Sequence, residues 1–352
     1  MKRKTLTLLF FLSIFTAGYS QIGGSYTYAF LNQANSARVA ALGGKSIAIP
    51  DADLNLPFHN PSLLSPEMHN NLVLNYVGYF DDIKYGYVSY ARSYGKLGNF
   101  AAGIHYVNYG TFPYADENGV RNGNTFTASE YAMNLIYSRP IDTFLTVGIN
   151  VKPVYSVFES YSSIGIAADL GVTYHNPTSL FTAAVVLRNI GTQITTYYGT
   201  AEREHLPFEI QAGLSQKLAH APFRFSLLFQ QLQHWDMTYE SSLDNSNVYN
   251  TLSNDAPPAS KIETFGDNLM RHTIFGLEFM PGKNFFLGFG YNYQRRQELK
   301  IAPRVGMVGF SWGFGLKISK FQFSYGRATY HLAGASNHFS LSTNLSEFYR
   351  KN

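Results

Sequence analysis

The sequence predicts an all-β protein: a 14-stranded antiparallel transmembrane β-barrel of the outer-membrane type, with an N-terminal segment that plugs it. Three observations predict this fold. Apolar side chains alternate with polar or small ones over long stretches, short and long connections alternate along the chain, and aromatic residues are abundant. Aromatic residues make up 16% of the 352 residues and charged residues only 14%, whereas charged residues usually reach about 25%. This composition argues against an ordinary cytosolic enzyme.

The alternation is clearest in two neighbouring segments, 144–155 and 163–175. Apolar residues occupy every second position there, and most positions between them carry small or polar residues. Strict period two defines a strand with two different faces. Strands of soluble sandwiches are about five or six residues long, whereas crossing a bilayer takes roughly 9–11 residues. Lys152 and Asp169 lie on the polar face, which in a barrel faces the lumen.

Fourteen candidate strands follow residue 70. They are 71–80, 84–93, 98–109, 128–139, 143–155, 163–175, 180–190, 207–218, 222–233, 270–280, 284–295, 304–318, 320–330 and 335–346. Tight turns alternate with long polar loops, except that the first loop on the long-loop side, 81–83, is also short. The long loops are 110–127, 156–162, 191–206, 234–269, 296–303 and 331–334. Outer-membrane barrels combine an even strand number with short periplasmic turns and long external loops. We therefore expect an outer-membrane protein with its long loops at the cell surface and both termini in the periplasm.

The first twenty residues have the pattern of an export signal. Lys2, Arg3 and Lys4 precede a short apolar run, and small residues lead up to Ser20, as in a cleaved signal peptide. The chain has no cysteine, which excludes disulfides, thiolate metal sites and a lipid anchor on cysteine. The predicted organisation is a signal peptide at 1–20, a plug segment at 21–70, the barrel at 71–346 and a C-terminal tail at 347–352.

The plug segment differs from the rest of the chain because glycines and prolines interrupt it. A short helix is expected at 34–42. The segment either fills the lumen or closes the periplasmic mouth. A disordered leader is the alternative, but the apolar residues between 39 and 49 argue against disorder.

No catalytic, metal or cofactor site is predicted. The ten histidines form no metal-binding motif. Ser93 and Lys96 match an SxxK pattern but lie in a predicted turn without the partner motifs of penicillin-binding enzymes. The glycine pair Gly288 and Gly290 alternates within a strand instead of opening a helix. The formal charge of only +4 and the absence of a basic helix argue against nucleic acid.

The long loop 234–269 is the best candidate for binding a partner. Six carboxylates and one lysine lie within it, and extended loops of this length are commonly functional or disordered. Calcium binding is conceivable, but the spacing matches no known ligand loop. A solvated loop is the plainer alternative. Its apolar residues could act as interface anchors, because aromatic side chains are frequent at hot spots: Trp235, Met237, Tyr239, Tyr249 and Phe265.

A basic cluster follows in the next external loop. Arg295, Arg296, Lys300 and Arg304 lie close together in sequence, with Glu298 as the one opposing charge. Arginine forks suit phosphate groups, which lipopolysaccharide presents at this height. The cluster is therefore a candidate contact for lipopolysaccharide, and an ordinary charged rim is the alternative.

Two stretches carry a family resemblance. The segment 36–69 contains Asn60-Pro61-Ser62, which is similar to the Asn-Pro-Ala signature of FadL-like barrels, and the segment 74–91 enters the first hairpin. Together they resemble the PorQ/PorV group of the type IX secretion system of Bacteroidota, and the likeness extends over nearly the whole chain after the signal peptide.

The resemblance implies a 14-stranded FadL-like barrel with an N-terminal segment at its periplasmic side. It also implies a non-catalytic role in the cell-surface attachment complex, in which such a protein holds the surface protein PorZ beside PorU and PorV for the anchoring of secreted cargo. The alternatives are a FadL-like transporter of hydrophobic molecules, a PorV-like shuttle for secreted cargo and, more distantly, a soluble surface enzyme.

Overall fold

The computed structural model describes residues 26–116, 118–199, 202–237, 261–299, 306–331 and 334–349. Fourteen antiparallel strands form one closed barrel, in which each strand pairs with its neighbours in sequence and β1 closes on β14. The predicted fold class is therefore confirmed. The strands are β1 (Asn71–Gly78), β2 (Lys84–Ser93), β3 (Asn99–Ala115), β4 (Arg121–Pro140), β5 (Leu145–Phe158), β6 (Tyr161–Asn176), β7 (Phe181–Thr195), β8 (Glu209–Lys217), β9 (Phe223–Phe229), β10 (Thr273–Phe279), β11 (Phe285–Asn292), β12 (Phe310–Ile318), β13 (Phe321–His331) and β14 (Gly334–Asn344).

The barrel wall is much taller on one side than on the other. β3 has 17 residues and β4 has 20, whereas β9 and β10 have 7 each. Twenty residues at roughly 3.3 Å each exceed the roughly 9–11 that a tilted strand needs to cross the hydrocarbon. The β3–β4 hairpin therefore projects beyond the membrane. The prediction of a loop at 110–127 is wrong, because most of these residues extend β3 and β4.

The two faces of the strands follow the predicted alternation. Phe100 and Ile104 point outward and are exposed in the isolated chain, while the residues that directly follow them, Ala101 and His105, are buried. Lys152 and Asp169 are buried on the lumen side, as predicted. Strand β2 departs from the simple code because large side chains, including Tyr85, point inward and pack on the plug.

The described plug, residues 26–70, fills the lumen in short helical pieces. It contains α1 (Ala37–Ala41), which matches the expected helix at 34–42, and 3-10 turns at Ala29–Asn32, Leu56–Phe58, Pro61–Leu63 and Pro66–Met68. Helix α1 stops at Gly43 and Gly44, whose φ angles of 95° and 97° suit glycine. Nearly all apolar side chains of the segment are buried, so the plug supplies the core of the barrel.

The plug runs from the long-loop mouth to the short-turn mouth. Thr27 donates its backbone N–H to the His205 carbonyl, 3.0 Å away in the loop after β7. At the other end, Asn70 donates to the Ala91 carbonyl and leads into β1. The first described residues thus lie at the long-loop mouth, whereas β14 ends beside Asn71 at the short-turn mouth. The predicted signal peptide and residues 350–352 lie outside the described residues.

Helices replace parts of two expected loops. Helix α2 (Lys261–His272) occupies the end of the expected loop 234–269, and α3 (Tyr293–Leu299) occupies part of the region expected as strand and loop around 296–303. A short helix, α4 (Ser346–Tyr349), follows β14. Within the described part of the chain, no helix has the length and apolar character to cross a membrane. Strand β12 begins at Phe310, later than the expected start at residue 304, and Val308 before it is buried.

Candidate functional site

The Asn60-Pro61-Ser62 turn attaches the middle of the plug to the barrel wall. Asn60 caps the 3-10 turn: its Oδ1 accepts from the Ser62 backbone N at 3.0 Å and from the Ser62 hydroxyl at 2.6 Å. Its Nδ2 donates to the Thr173 hydroxyl on β6 at 2.9 Å and to the Ile47 carbonyl at 2.7 Å. All polar atoms of this buried amide side chain are used. The motif residues therefore attach the plug to the wall through hydrogen bonds.

Two wall glycines make room for this turn. A Cβ added to Gly148 of β5 would lie 2.4 Å from the Pro61 carbonyl carbon, and one added to Gly171 of β6 would lie 2.1 Å from Asn60 Oδ1. Both distances are far inside van der Waals contact. Small residues on an inward strand face mark places where another backbone comes close, and here that backbone is the plug.

A buried ion-pair network ties the plug to the wall near the short-turn mouth. The Arg38 guanidinium of α1 donates from Nε to Glu278 of β10 at 2.8 Å and also pairs with Asp51. Arg224 of β9 donates to Asp51 through both terminal nitrogens at 2.7 Å, and to Glu278 at 3.1 Å. Burial alone would raise the pKa of Asp51, but the two guanidiniums outweigh it and hold that pKa well below its usual range.

Further buried ion pairs lie between the long-loop mouth and the centre of the lumen. Lys45 of the plug donates to Glu209 of β8 at 2.6 Å, and Lys152 of β5 donates to Asp169 of β6 at the same distance. A bulge in β7 sets two residues opposite Asp169, so that Arg188 and Asn189 are both fully buried. Bulges often re-aim side chains in this way. The Asn189 backbone N then donates to Asp169 at 2.8 Å, and the centre of the barrel is polar and charged.

Cavities open at the two mouths of the plugged barrel. The cavity at the long-loop mouth has a volume of about 200 Å³, and the cavity at the short-turn mouth has a volume of about 770 Å³. Between them lie fully buried plug side chains such as Ile49 and Leu56. The described part of the chain holds no group of His, Asp and Glu side chains arranged for a metal ion.

The structure separates the five partner-binding candidates. Trp235 stacks against His272 of α2 with ring centroids 5.4 Å apart and lies beside Phe265, and both aromatic candidates are about half exposed. Met237 is buried, so it does not serve as a surface anchor. Tyr239 and Tyr249 lie outside the described residues. The exposed apolar side chains of α2, Ile262 and Phe265, belong to the same surface.

The basic cluster does not form one outward-facing patch. Arg295 points into the mouth of the barrel, where its guanidinium lies 4.0 Å from the centre of the Tyr330 ring. Its assignment as a lipopolysaccharide contact is therefore wrong. Arg296 donates to the Val308 carbonyl at 3.1 Å and lies over Phe310, close to the outer wall. Lys300 and Arg304 lie outside the described residues.

The residues that join plug and wall were not singled out in the sequence. One signal in the sequence could have identified several of them: Arg38, Asp51, Glu209, Arg224 and Glu278. Glu209, Arg224 and Glu278 are charged residues at inward strand positions, and a buried charge needs a partner. Arg224 and Glu278 pair with each other on the wall, and the remaining matching charges come from the plug.

The fold and the filled lumen define an outer-membrane β-barrel with an internal plug. No family model matches the chain, and no curated protein matches it. Among solved structures, the ΔS2S3 mutant of the monoaromatic hydrocarbon channel TodX has a TM-score of 0.50 and 12% sequence identity, over 89% of this chain and 99% of that one. At this identity the likeness establishes a shared fold.

Two further solved structures are similar at lower scores. The Pseudomonas putida toluene transporter TodX has a TM-score of 0.49 and 12% identity, over 88% of this chain and 96% of that one. A Pseudomonas aeruginosa FadL homologue has a TM-score of 0.47 and 10% identity, over 88% of this chain and 98% of that one.

Proposed function

We propose that this protein is a non-catalytic outer-membrane anchor that holds a surface protein for the attachment of secreted cargo. The resemblance of residues 36–69 and 74–91 to the PorQ/PorV group, and to PorQ in particular, points to the attachment complex of the type IX secretion system, with a PorZ-like partner beside PorU and PorV. The structural observation that supports an anchor is the fastened plug. A barrel whose plug is held to the wall by hydrogen bonds and ion pairs offers a rigid platform for another protein.

The energetics of the plug favour a permanently closed barrel. Moving the plug would separate Arg38 from Glu278 and Lys45 from Glu209, and all four side chains are largely buried. Breaking a buried ion pair so that one partner is left alone costs about 3–5 kcal/mol. Glu278 would keep Arg224 as a partner, so the main loss is that of Glu209, and a cost of about 3–5 kcal/mol corresponds to an open fraction of about one in a hundred or less. The closed form therefore dominates.

The partner surface is proposed at the long-loop mouth, which we place at the cell surface. The exposed side chains of Ile262, Phe265 and Leu269 are spaced along one side of α2, and Trp235 packs beside Phe265. Residues at i, i+3 and i+7 share a helix face. An exposed apolar helix face with an aromatic neighbour has the composition of an interface hot spot.

A channel for hydrophobic molecules is the second candidate. The comparison with solved structures favours it, because the neighbours are hydrocarbon channels and transporters. The aromatic lining of the cavity at the long-loop mouth suits such a ligand. Against it stands the lumen centre, where Lys152, Asp169 and Arg188 would meet any hydrophobic molecule that passed.

Locking the plug covalently separates the two candidates. The hydroxyl oxygens of Ser62 and Thr173 lie 2.7 Å apart, so Ser62→Cys with Thr173→Cys should form a disulfide when oxidised. The chain has no other cysteine. For an anchor, oxidised and reduced cells retain the PorZ-like partner and the cargo equally. For a channel that opens by plug movement, toluene uptake falls on oxidation and returns on reduction, and this result would overturn the proposal.

A surface substitution tests the partner site directly. Phe265→Ser should release the PorZ-like partner from washed cells, because truncating a hot-spot residue costs about 2 kcal/mol or more. Ile141→Ser is the matched control, because Ile141 is an equally apolar exposed residue in the short turn between β4 and β5. Equal retention of the partner by both variants would rule out the α2 surface.

A further inference from the structure

The cavity at the long-loop mouth is lined by side chains that the anchor function does not use. Its volume is about 200 Å³, and we call it the tyrosine pocket after Tyr79, Tyr85 and Tyr330 in its lining, which also includes Gln33 and Arg295. Drug-sized sites usually measure roughly 300–1,000 Å³. At roughly 30 Å³ for each water in the liquid, the pocket corresponds to about six or seven waters. It suits a one-ring ligand or a single protein side chain.

Arg295 is held in this pocket by both the wall and the plug. Helix α3 begins where the Asn292 side chain accepts from the Arg295 backbone N at 3.0 Å. The guanidinium lies over the Tyr330 ring, and Nη2 donates to the Gly43 carbonyl at 3.3 Å. A Cβ on Gly44 would lie 2.7 Å from Nη2, so glycine at this position leaves space for the arginine. The side chain is thus positioned before any ligand arrives.

The charge of Arg295 has no counter-charge in the described part of the chain. None of the ion pairs described there includes Arg295. Its Nη1 atom is buried without a hydrogen-bond partner, and so is Oε1 of Gln33 in the same lining. Lys45, also in the lining, is occupied by Glu209. Because a buried charge is costly unless it is paired, the pocket is suited to receive an anion.

We propose that the tyrosine pocket binds a carboxylate carried on a small, flat or slender group. The guanidinium fork matches the two oxygens of a carboxylate, and the tyrosine rings would cover the attached carbon skeleton. Two sources offer this chemistry: a free aromatic acid reaching the mouth from outside, and an acidic side chain of a bound surface protein. The proposal does not rest on the anchor function, since a small carboxylate can bind whether or not a partner does.

Calorimetric titration of the purified, detergent-solubilised full chain tests the proposal with four probes. Benzoate and N-acetylglutamate methylamide both carry the carboxylate, and benzyl alcohol and glutamine in the same blocked form are their neutral counterparts. Each acid should bind at least tenfold more tightly than its neutral counterpart. Tighter binding of benzoate identifies a free aromatic acid as the source, and tighter binding of the glutamate derivative identifies a partner side chain. Failure of both acids to bind would overturn the proposal.

Two variants assign the binding to the pocket. Arg295→Gln should weaken binding of the preferred acid at least tenfold. Arg296→Gln is the control, because the Arg296 side chain lies over Phe310, and it should leave binding unchanged. Gln33→Glu supplies a carboxylate within the pocket and should also abolish acid binding. Heat-modifiable gel mobility reports whether each barrel is folded. If Arg295→Gln does not fold, Gln33→Glu decides, and undiminished acid binding to a folded Gln33→Glu barrel overturns the assignment.

Discussion

Adding one methyl group to the barrel wall should loosen the plug. In Gly148→Ala, the new Cβ would lie 2.4 Å from the Pro61 carbonyl carbon, 2.4 Å from the Ser62 N and 2.6 Å from the Pro61 O. All three neighbours are backbone atoms, so no rotation of a side chain relieves the overlap. The plug turn or the wall must shift, and overpacking of this kind typically costs about 1–3 kcal/mol.

The cost should appear as plug exposure and not as loss of the barrel. Strand β5 keeps its ladders to β4 and β6, whereas the Asn60 hydrogen bonds depend on the close approach of plug and wall. A loss of about 2 kcal/mol raises the population with a displaced turn about 30-fold. Limited proteolysis should then cut within 56–66 much faster in the variant, while gel mobility still shows a folded barrel.

The matched control is Gly78→Ala in β1, where an added Cβ meets nothing within 4 Å. This variant should keep the protease resistance of the parent chain. Equal protection of the plug in both variants would refute the close packing of the Asn60-Pro61-Ser62 turn on β5. The structure places the plug directly against the lumen face of β5 at Gly148.

Three further predictions follow from the wall and the ion pairs. Leu170→Arg places a charge on the outward face of β6, and near the bilayer midplane it should cost about 2–4 kcal/mol, seen as a reduced folded fraction on heat-modifiable gels. Glu278→Gln leaves Arg38 and Arg224 paired with Asp51 but weakens their hydrogen bonds to position 278, so it should weaken plug docking by about 1.5–3 kcal/mol and speed plug proteolysis, and a rate equal to that of the parent would contradict the network. The third concerns acid: because the pKa of Asp51 is lowered on folding, its contribution is fully present above the unfolded value of about 3.9 and is lost as the pH falls below it. Plug protection should therefore be constant from pH 8 to about 5 and decline below about 4, and Asp51→Asn should flatten that decline.

Local sequence pattern was sufficient for the barrel itself. Period-two alternation over long segments, as in 144–155, identifies strands and their faces because side chains of a strand alternate regardless of what lies opposite. Lengths of nine or more residues then distinguish a bilayer barrel from a sandwich. Sequential hairpins leave little freedom in strand order, so the 14-stranded topology followed as well. The ends of the strands were predicted less accurately, as β3 and β4 show, because a strand continues above the membrane as long as its partner does.

The contents of the lumen were decided by tertiary structure. The Asn60 side chain meets Thr173 across 113 residues of sequence, and Arg38 meets Glu278 across 240. No local pattern encodes such pairs, because each charge or glycine is explained only by the group that closure of the barrel brings against it. Arg295 is the sharpest case. Its basic neighbours in sequence suggested a surface patch, whereas the gap left by Gly44 and the ring of Tyr330 turn it into the lumen. Local patterns predict the barrel and its plug segment, whereas closure of the barrel sets how the plug is attached and leaves the Arg295 charge unpaired among the described residues, because burial makes pairing obligatory only between groups that the fold brings together.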